Sequence, residues 1–417
     1  MFDMTKILQN ICIYAKFVVL LHDFWESDLD DRGKQTPGIN EMEVEIRTIS
    51  GKKQLRQFIE FANSLYKDCP YYCPPLFFDE LNIFDAKKNP ALEHCEYQLF
   101  MAYRDGQAVG RIAALINHKA NEHWQYRRVR FGWMDFVDDT DVSRALLDAV
   151  RSWGKEKGMN EMNGPVGFTD WDHQGLLLEG FEYVAPLASL YNYPYYARHL
   201  EAYGLSKEAD WIEYRINTPT EVPERVLRFS RIVSERFHVR IDKVKSASEL
   251  QRKYGTAYMD MLDEAYQKLY NFQPMTQRQK EYYRDIYFPI LNFDFVSLVV
   301  NEQNEVVGVG LGMPDISQAV RRCGGKLLPF GWFHLLRALK AKKMEVFDLL
   351  LIGVRPDYQD KGITSLIFAD MIPYFPRYGV KYIETTSMLE TNNKVLSNFD
   401  PYEKIQHKRR RAYIMSI

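Results

Sequence analysis

The same order of apolar runs and turns occurs twice in this chain, at a period of roughly 200 residues. Apolar runs at residues 97–103 and 108–116 flank an Asp-Gly pair, which is a strong signal for a β-hairpin. Runs at residues 295–300 and 306–312 repeat this pattern, with a Val-Gly pair at the same place in each copy. Such a duplication restricts the fold to two copies of one structural unit in tandem.

Each hairpin is preceded by a helical stretch, at residues 53–67 and 248–269. A strand, a helix and a strand then follow, at residues 129–136, 141–157 and 158–164 in the first copy and 346–354, 362–377 and 380–387 in the second. The length of 417 residues also suits two domains better than one core. We therefore predict an α+β fold with domains at residues 43–217 and 224–417, joined by a proline-containing linker at residues 218–223.

Residues 1–42 do not fit the repeat. The stretch 7–21 is apolar, but Asn10 and Lys16 interrupt it, and it is too short to span a bilayer. An acidic run at residues 26–31 follows where a signal peptide would have a cleavage site. We expect a disordered leader or a mis-assigned start, with a helix lying on a membrane surface as the alternative.

The charge and cysteine content exclude several classes of protein. A formal net charge of -2 argues against a nucleic-acid partner, because such proteins carry a basic excess. The five cysteines are scattered, so they encode neither a disulfide framework nor a structural zinc site. We expect a cytoplasmic protein that binds no metal.

One segment of the second copy has the spacing of a phosphate-binding turn. The apolar strand at residues 346–354 leads into a short loop that contains Gln359, Lys361 and Gly362, and a helix follows. A loop that opens a helix presents free backbone N–H groups, and the helix dipole adds positive potential. The expected ligand is a pyrophosphate, and we expect Gly362 to let the backbone approach it closely.

This loop, read as Gln359-x-x-Gly362-x-Thr364, resembles motif A of the GNAT (N-acetyltransferase) superfamily. Asn392, shortly after the next strand, matches the Asn that the superfamily places there. Coverage extends over about residues 43 to 417, and the chain is similar to a family of large bacterial GNAT-like proteins, as in Met313-Pro-Asp315 and Gly164-Pro165. The resemblance implies two tandem GNAT-like domains, each a mixed, mainly antiparallel twisted sheet flanked by helices.

The resemblance also implies acetyl-CoA or a longer acyl-CoA as co-substrate, held where the fourth and fifth strands separate. The residues that it assigns to this ligand are Ile352, Val354, Gln359, Asp360, Lys361, Gly362, Ile363, Thr364, Ser365, Asn392 and Asn393. For deprotonating an amine, Glu384 and Glu390 are the candidate bases, with a solvated strand end as the alternative for each. The superfamily often has a Tyr seven residues after the Asn. Here Phe399 stands in that place, so Tyr402 is the candidate acid.

The first copy has an acidic counterpart of motif A. Residues 136–143 contain three carboxylates and no glycine, which would repel a pyrophosphate. We expect this copy to be degenerate and to bind the acceptor instead. In the polar loop that follows its last strand, and just beyond, the candidates for holding a cationic acceptor are Asp170, Asp172, His173 and Glu179, although ordinary loop polarity explains them equally.

Two further stretches have open interpretations. An apolar and then basic run within residues 314–343 suits peripheral membrane contact, a long acyl chain, a lid or a core helix. The basic run Lys408–Arg411 suits contact with CoA phosphates or, more commonly, a solvated strand end.

The sequence thus favours an acyl-CoA-dependent N-acyltransferase acting on an amine, with a lipid-like amine as one possible acceptor. A Fem-like aminoacyl transferase that uses charged tRNA is one alternative, disfavoured by the net charge. A non-catalytic CoA-binding protein is the other.

Overall fold

The structure, a computed structural model, describes residues 43–417. The expected leader at residues 1–42, with its apolar stretch at residues 7–21, lies outside the described residues. Within residues 43–417, no helix has the length and apolarity needed to cross a membrane.

The first repeat begins with the short strand β1 and ends with the long strand β7. Its strands are β1 (Glu45–Ile49), β2 (Cys95–Arg104), β3 (Gln107–Asn117), β4 (Arg128–Phe136), β5 (Glu161–Gly164), β6 (Leu176–Glu179) and β7 (Ser206–Asn217). Its helices are α1 (Gly51–Leu65), α2 (Phe77–Ile83), α3 (His118–Trp124), α4 (Thr140–Glu156) and α5 (Tyr195–Tyr203). The hairpin predicted from the Asp-Gly turn is β2–β3.

The second repeat has the same order around the hairpin β9–β10. Its strands are β8 (Arg240–Ile241), β9 (Val296–Val300), β10 (Val306–Pro314), β11 (Val346–Val354), β12 (Tyr382–Thr385), β13 (Met388–Leu389) and β14 (Lys404–Ser416). Its helices are α6 (Glu224–Phe237), α7 (Ala247–Tyr254), α8 (Ala257–Tyr266), α9 (Gln277–Tyr287), α10 (Ser317–Arg322), α11 (Gly331–Leu339), α12 (Thr364–Met371), α13 (Tyr374–Tyr378) and α14 (Asn393–Leu396).

Two helices predicted as continuous are each divided. The stretch 248–269 becomes α7 and α8, because Gly255 between them has a φ of +55° and ends the first helix. The stretch 362–377 becomes α12 and α13, with Pro373 at the start of the second. Proline lacks the N–H that a continuous helix needs, so the break follows from the sequence.

The strands of both repeats form one mixed sheet. Its order is β1-β2-β3-β4-β5-β14-β7-β12-β11-β10-β9-β8, and β6 and β13 pair with β14 and β7 outside this path. Neighbouring strands are antiparallel except at β4–β5 and β11–β12, which are parallel. The predicted α+β class with mixed, mainly antiparallel sheets is confirmed.

The centre of the sheet is an exchange of strands between the repeats. The first repeat's β7 pairs with β12 of the second, and the second repeat's β14 pairs with β5 of the first. The two exchanged strands pair with each other along nearly their whole length, from Lys404↔Ile216 to Ile414↔Ser206. Each repeat thereby covers the open edge that the other would otherwise expose.

For Lys408 and Arg410, the exchange corrects both interpretations of the basic run in β14. Lys408 and Arg410 are each only 1% exposed, in the middle of the sheet. Arg410 donates to the buried Glu213 carboxylate at 2.7 Å, and Lys408 lies 3.8 Å from the same carboxylate. These side chains are internal counter-ions, neither solvated nor available to CoA phosphates.

Candidate functional site

The two parallel strands of the second repeat separate part-way along their length. β11 and β12 pair from Val346↔Tyr382 to Leu349↔Thr385, and β11 then continues to Val354 beside β10 alone. Thr386 makes the last contacts across the pair, from its backbone N–H to the Leu349 carbonyl (3.1 Å) and from its hydroxyl to the Leu350 carbonyl (2.8 Å). Beyond this point lies a gap bordered by the backbone of residues 351–354.

Two side chains contact the β11 backbone at this gap. The Tyr266 hydroxyl donates to the Ile352 carbonyl at 3.0 Å, and Gln359 Nε2 donates to the Val354 carbonyl at 3.2 Å. The structure thus places Ile352, Val354 and Gln359 at the same gap, and their role in binding CoA stays a prediction. Tyr266 was missed, because it ends a helix that precedes the hairpin and no local pattern connects it to β11.

The loop after β11 leads directly into α12. Ser365 and Leu366 donate their backbone N–H groups to the carbonyls of Gly362 and Ile363, as in a first helical turn. Within residues 43–417, the backbone N–H groups of Gly362, Ile363 and Thr364 donate to no acceptor. The Thr364 hydroxyl donates to Asn398 Oδ1 at 2.6 Å and ties this turn to the segment after α14. Free amides at a helix start are the chemistry that binds a phosphate.

Of the other residues expected to bind CoA at or near this loop, three have partners within the protein and one is exposed. Lys361 Nζ lies 4.7 Å from the Tyr358 ring centre, and Asp360 has a φ of +61° and pairs with Lys394 at 2.6 Å. Asn392 caps α14 by accepting from the backbone N–H of Val395, and Asn393 is the first residue of that helix and is exposed.

The structure shows a packing reason for the small size of Gly362, in addition to the one that the sequence suggested. Its φ is +78°, and a Cβ atom placed on it would lie 2.3 Å from the ring of Phe229 and 3.2 Å from Val233, both on α6. The absent side chain thus makes room for α6. The approach of a pyrophosphate, which the sequence suggested as the reason, stays a prediction.

Glu384 is the centre of an ion-pair cluster on one face of the sheet. Its carboxylate lies 3.2 Å from His407 Nε2, 3.1 Å from Lys408 Nζ and 3.5 Å from Arg215 Nε. Burial alone would raise the pKa of Glu384, but the hydrogen bond from His407 and the charge of Lys408 lower it to about 2. A carboxylate with these partners is a weak base, and its catalytic role stays a prediction.

The other two predicted catalytic side chains lie apart from Glu384. Glu390 pairs with Lys207 and with Arg409 (2.7 Å), and hydrogen bonds from these two cations lower its pKa. The Tyr402 hydroxyl is buried without a hydrogen-bond partner, and burial raises its pKa to about 12. Tyr402 packs with Ile383 in the core beneath α12, which is the face opposite to Glu384 because adjacent strand residues alternate.

A buried carboxyl group on β11 was not singled out from the sequence. Asp348 lies directly opposite Glu384 in the parallel pair and is 6% exposed. Burial raises the pKa of Asp348 well above its usual value, and the nearby Asp315 and Glu384 carboxylates raise it further. The available signal was a lone Asp within an apolar strand.

Three of the four predicted acceptor residues have structural partners. Asp172 accepts from the backbone N–H of Thr169 at 2.9 Å, and His173 Nε2 lies 3.1 Å from the Leu187 carbonyl. Burial raises the pKa of Asp172 and lowers the pKa of His173 to about 4. Glu179 is exposed and lies 3.4 Å from Arg409.

Asp170 differs from these three residues. Its Oδ1 atom is buried without a hydrogen-bond partner among the described residues, and burial raises its pKa to about 8. The neighbouring residue Trp171 packs on the same apolar cluster as Tyr266 and Leu351, which lie beside the gap. The polar loop of the first repeat therefore reaches the gap of the second.

A cavity of about 350 Å³ lies between the repeats. The first repeat contributes α3, β4 and β7 to its walls, and the second contributes residues 268–271 and 389–391. Tyr270, Leu389 and Glu390 connect the cavity to the end of the β12–β13 segment. The space is within the range of small-molecule pockets.

Comparison with known proteins identifies the fold. A tandem GNAT protein from the clavulanic acid biosynthesis pathway superposes with a TM-score of 0.52 over 90% of this chain and 98% of its own, at 10% sequence identity. The chain has a tandem GNAT fold. A second match is the GCN5-related glucosamine N-acetyltransferase region of a fungal multi-domain β-N-acetylglucosaminidase. The match covers 91% of this chain and 39% of the fungal protein, with a TM-score of 0.51 and 11% identity.

Two curated proteins are similar in sequence to this tandem GNAT chain. Protein YghO of Escherichia coli (strain K12) is 29% identical over 379 residues, 89% of this chain and 95% of the relative. A bacterial ceramide synthase of Caulobacter vibrioides (strain NA1000 / CB15N) is 28% identical over 310 residues, 73% of this chain and 79% of the relative. No family model matches the chain.

The first GNAT repeat has a different helix start from the second. Asp139 caps α4 by accepting from the backbone N–H groups of Asp141 (2.9 Å) and Val142 (3.2 Å). A side-chain carboxylate thus occupies the amides that a phosphate would need. In this repeat the gap beyond β4–β5 is also bridged, since the Val166 N–H donates to the Phe131 carbonyl at 2.9 Å.

Proposed function

We propose that this protein is an N-acyltransferase that moves an acyl group from acyl-CoA to the amine of a lipid-like acceptor. The observation that carries the proposal is the site in the second repeat. There, separated parallel strands and three unbonded amides at the start of α12 lie next to each other. In a GNAT fold, this combination supports a pantetheine arm in the gap and a pyrophosphate on the amides.

The acceptor class comes from a relative. The Caulobacter protein is named a ceramide synthase, and a ceramide is a sphingoid amine carrying an N-acyl chain. A sphingoid or similar long-chain amine is therefore the acceptor that we propose for this chain. The cavity between the repeats adjoins residues 389–391 at the end of the second repeat's site and gives such an amine a place to enter.

For the chemistry, we assign proton removal to Asp170. The amine nitrogen attacks the thioester carbonyl, the carbon–sulfur bond breaks, the amine proton passes to Asp170, and the thiolate takes a proton from solvent. A carboxylate with a pKa of about 8 and an unbonded oxygen is a better base near neutral pH than the ion-paired Glu384 and Glu390. Glu384 and Glu390 then serve to order the surrounding strands.

The test separates an enzyme from a binding protein. Purified protein is incubated with palmitoyl-CoA and sphinganine, and free thiol release and N-palmitoyl product are measured together. Thermal melting with palmitoyl-CoA alone reports binding, because a ligand at 100 times its Kd stabilises a protein by about 2.7 kcal/mol. Stabilisation without thiol release from a panel of long-chain amines would identify a CoA-binding protein instead. Neither effect with any acyl-CoA would overturn the proposal.

A further inference from the structure

An exposed apolar surface lies in the segment between β10 and β11. It consists of four large side chains within residues 328–333, at or just before α11. Their exposed fractions are 52% for Leu328, 71% for Phe330, 47% for Trp332 and 51% for Phe333. Large apolar residues that adjoin one another on a surface mark contact with a partner or a lipid, whereas single ones need no explanation. We call these four residues the aromatic patch.

The aromatic patch is held on a firm base. On the same helix, Gly331 and Leu335 are buried, and Leu335 belongs to the main core of the first repeat. A Cβ on Gly331 would lie 1.9 Å from the Lys326 carbonyl, so the turn before α11 is closely packed. The Phe77 N–H of the first repeat also donates to the Gly325 carbonyl at 2.9 Å. One face of α11 thus packs on the core, and the opposite face, with Trp332 and Phe333, is exposed.

The charges around the patch have one sign. Residues 316–344 contain no Asp or Glu and include seven basic residues: Arg321, Arg322, Lys326, Arg337, Lys340, Lys342 and Lys343. Lys326 pairs with Glu60 at 3.0 Å. Among residues 43–417, no carboxylate lies within ion-pair distance of the five exposed cations Arg322, Arg337, Lys340, Lys342 and Lys343.

Aromatic side chains beside unpaired cations match an anionic lipid surface. Trp and Phe enter the headgroup region, while Lys and Arg remain level with the phosphates. A protein partner would instead have to present a matching apolar and acidic face. We infer that the aromatic patch and its five free cations dock this protein on an anionic membrane. The docking would bring the enzyme to a long-chain amine in the bilayer, but it does not depend on the proposed reaction.

Vesicle flotation with the full chain tests the inference. Vesicles of phosphatidylcholine alone are compared with vesicles that also contain phosphatidylglycerol, and no acyl-CoA is present. We expect binding to the anionic vesicles, weakening in high salt because exposed charges are screened. Each basic residue near the surface is worth about fivefold in binding, so K340E/K342E/K343E should lose on the order of a hundredfold.

Two sets of variants separate patch and charge effects. F330S/W332S removes apolar side chains that are already exposed, so it should fold with an unchanged melting temperature and bind at least tenfold more weakly, on the order of the burial of two aromatic rings. The matched controls are I232S, which removes an apolar side chain with 46% exposure on α6, and K53E/K155E/K245E, which reverses three exposed lysines elsewhere. Both controls should bind like the native chain.

Three outcomes would overturn the inference. The first is that the native chain does not bind anionic vesicles. The second is that it binds neutral vesicles as well as anionic ones and that K340E/K342E/K343E binds like the native chain. The third is that the control variants lose as much vesicle binding as the patch and lysine variants. Because the assay contains no acyl-CoA, its result is independent of thiol release. A chain that floats with vesicles and releases no thiol would leave the docking intact and remove only the proposed reaction.

Discussion

Replacing Gly362 by alanine separates two causes of its small size. The residue has a φ of +78°, a conformation that costs a side-chain-bearing residue roughly 1–2 kcal/mol. The new Cβ would also lie 2.3 Å from the Phe229 ring. Overpacking of this kind costs about 1–3 kcal/mol, so we expect G362A to lose roughly 2–5 kcal/mol of unfolding free energy in total.

The second substitution, Phe229→Ala, removes the ring that Cβ would strike. Phe229 is 48% exposed, so its loss alone should cost only about 1 kcal/mol. In the double variant the steric cost disappears and the backbone cost remains, which gives a favourable coupling of about 1–3 kcal/mol between the two sites. Urea unfolding of the four proteins measures this coupling.

The affinity for palmitoyl-CoA, measured on the same four proteins, distinguishes packing from ligand approach. If Gly362 is small because of Phe229, the double variant should recover most of the affinity that G362A loses. If a phosphate needs the space, affinity stays low in the double variant although stability returns. Additive unfolding free energies would refute the close contact itself.

Four other predictions concern Asp170, Leu389 and Arg410. The kcat/KM of the native chain should rise with pH to a plateau above about 8, because Asp170 must be ionised to accept the proton. The variant D170N should lose this pH dependence and about a hundredfold in rate. An unchanged pH profile in D170N would reject Asp170 as the base. Because burial raises the pKa of Asp170, the folded chain keeps this proton up to about pH 8, whereas the unfolded chain releases it near pH 4. The native chain should therefore lose stability relative to D170N as pH rises from about 4 to about 8 and show no further loss above that, as urea titrations would show. Leu389→Trp should fill the cavity and raise KM for the amine without altering palmitoyl-CoA melting shifts, and an effect on CoA alone would place the acceptor elsewhere. Arg410→Met should cost about 3–5 kcal/mol in urea unfolding, because the Glu213 carboxylate would stay buried with one fewer cation, and a near-native stability would mean that Lys408 suffices.

Local sequence patterns predict much of the fold. The two hairpins, the strand before the loop at Gln359 and the helix after it are encoded by apolar periodicity, turn residues and spacing, and these features lie within short windows. The breaks at Gly255 and Pro373 were also encoded but were overlooked within longer helical patterns. The closeness of Ile352, Val354 and Gln359 followed from the strand–loop–helix order.

Local patterns do not predict which segments pair when they lie far apart in the sequence. Lys408 and Arg410 look like a solvated strand end because their counter-ion, Glu213, lies almost 200 positions earlier, roughly one repeat away. Tyr266 and the loop of Asp170 approach the gap from two other elements, and neither has a local pattern that indicates it. The pairing of β14 with β5 likewise depends on strands from both repeats, and no short window of sequence indicates it.

The exchange of β7 and β14 sets an order on folding. β5 and its partner β14 are separated by residues 165–403, so during synthesis the first repeat keeps an unpaired edge until nearly all of the second has been made. A chain cut between the repeats would leave β5, β7, β12 and β14 open to pairing with other molecules until the two fragments met. The centre of the sheet can therefore form only once both repeats have been made.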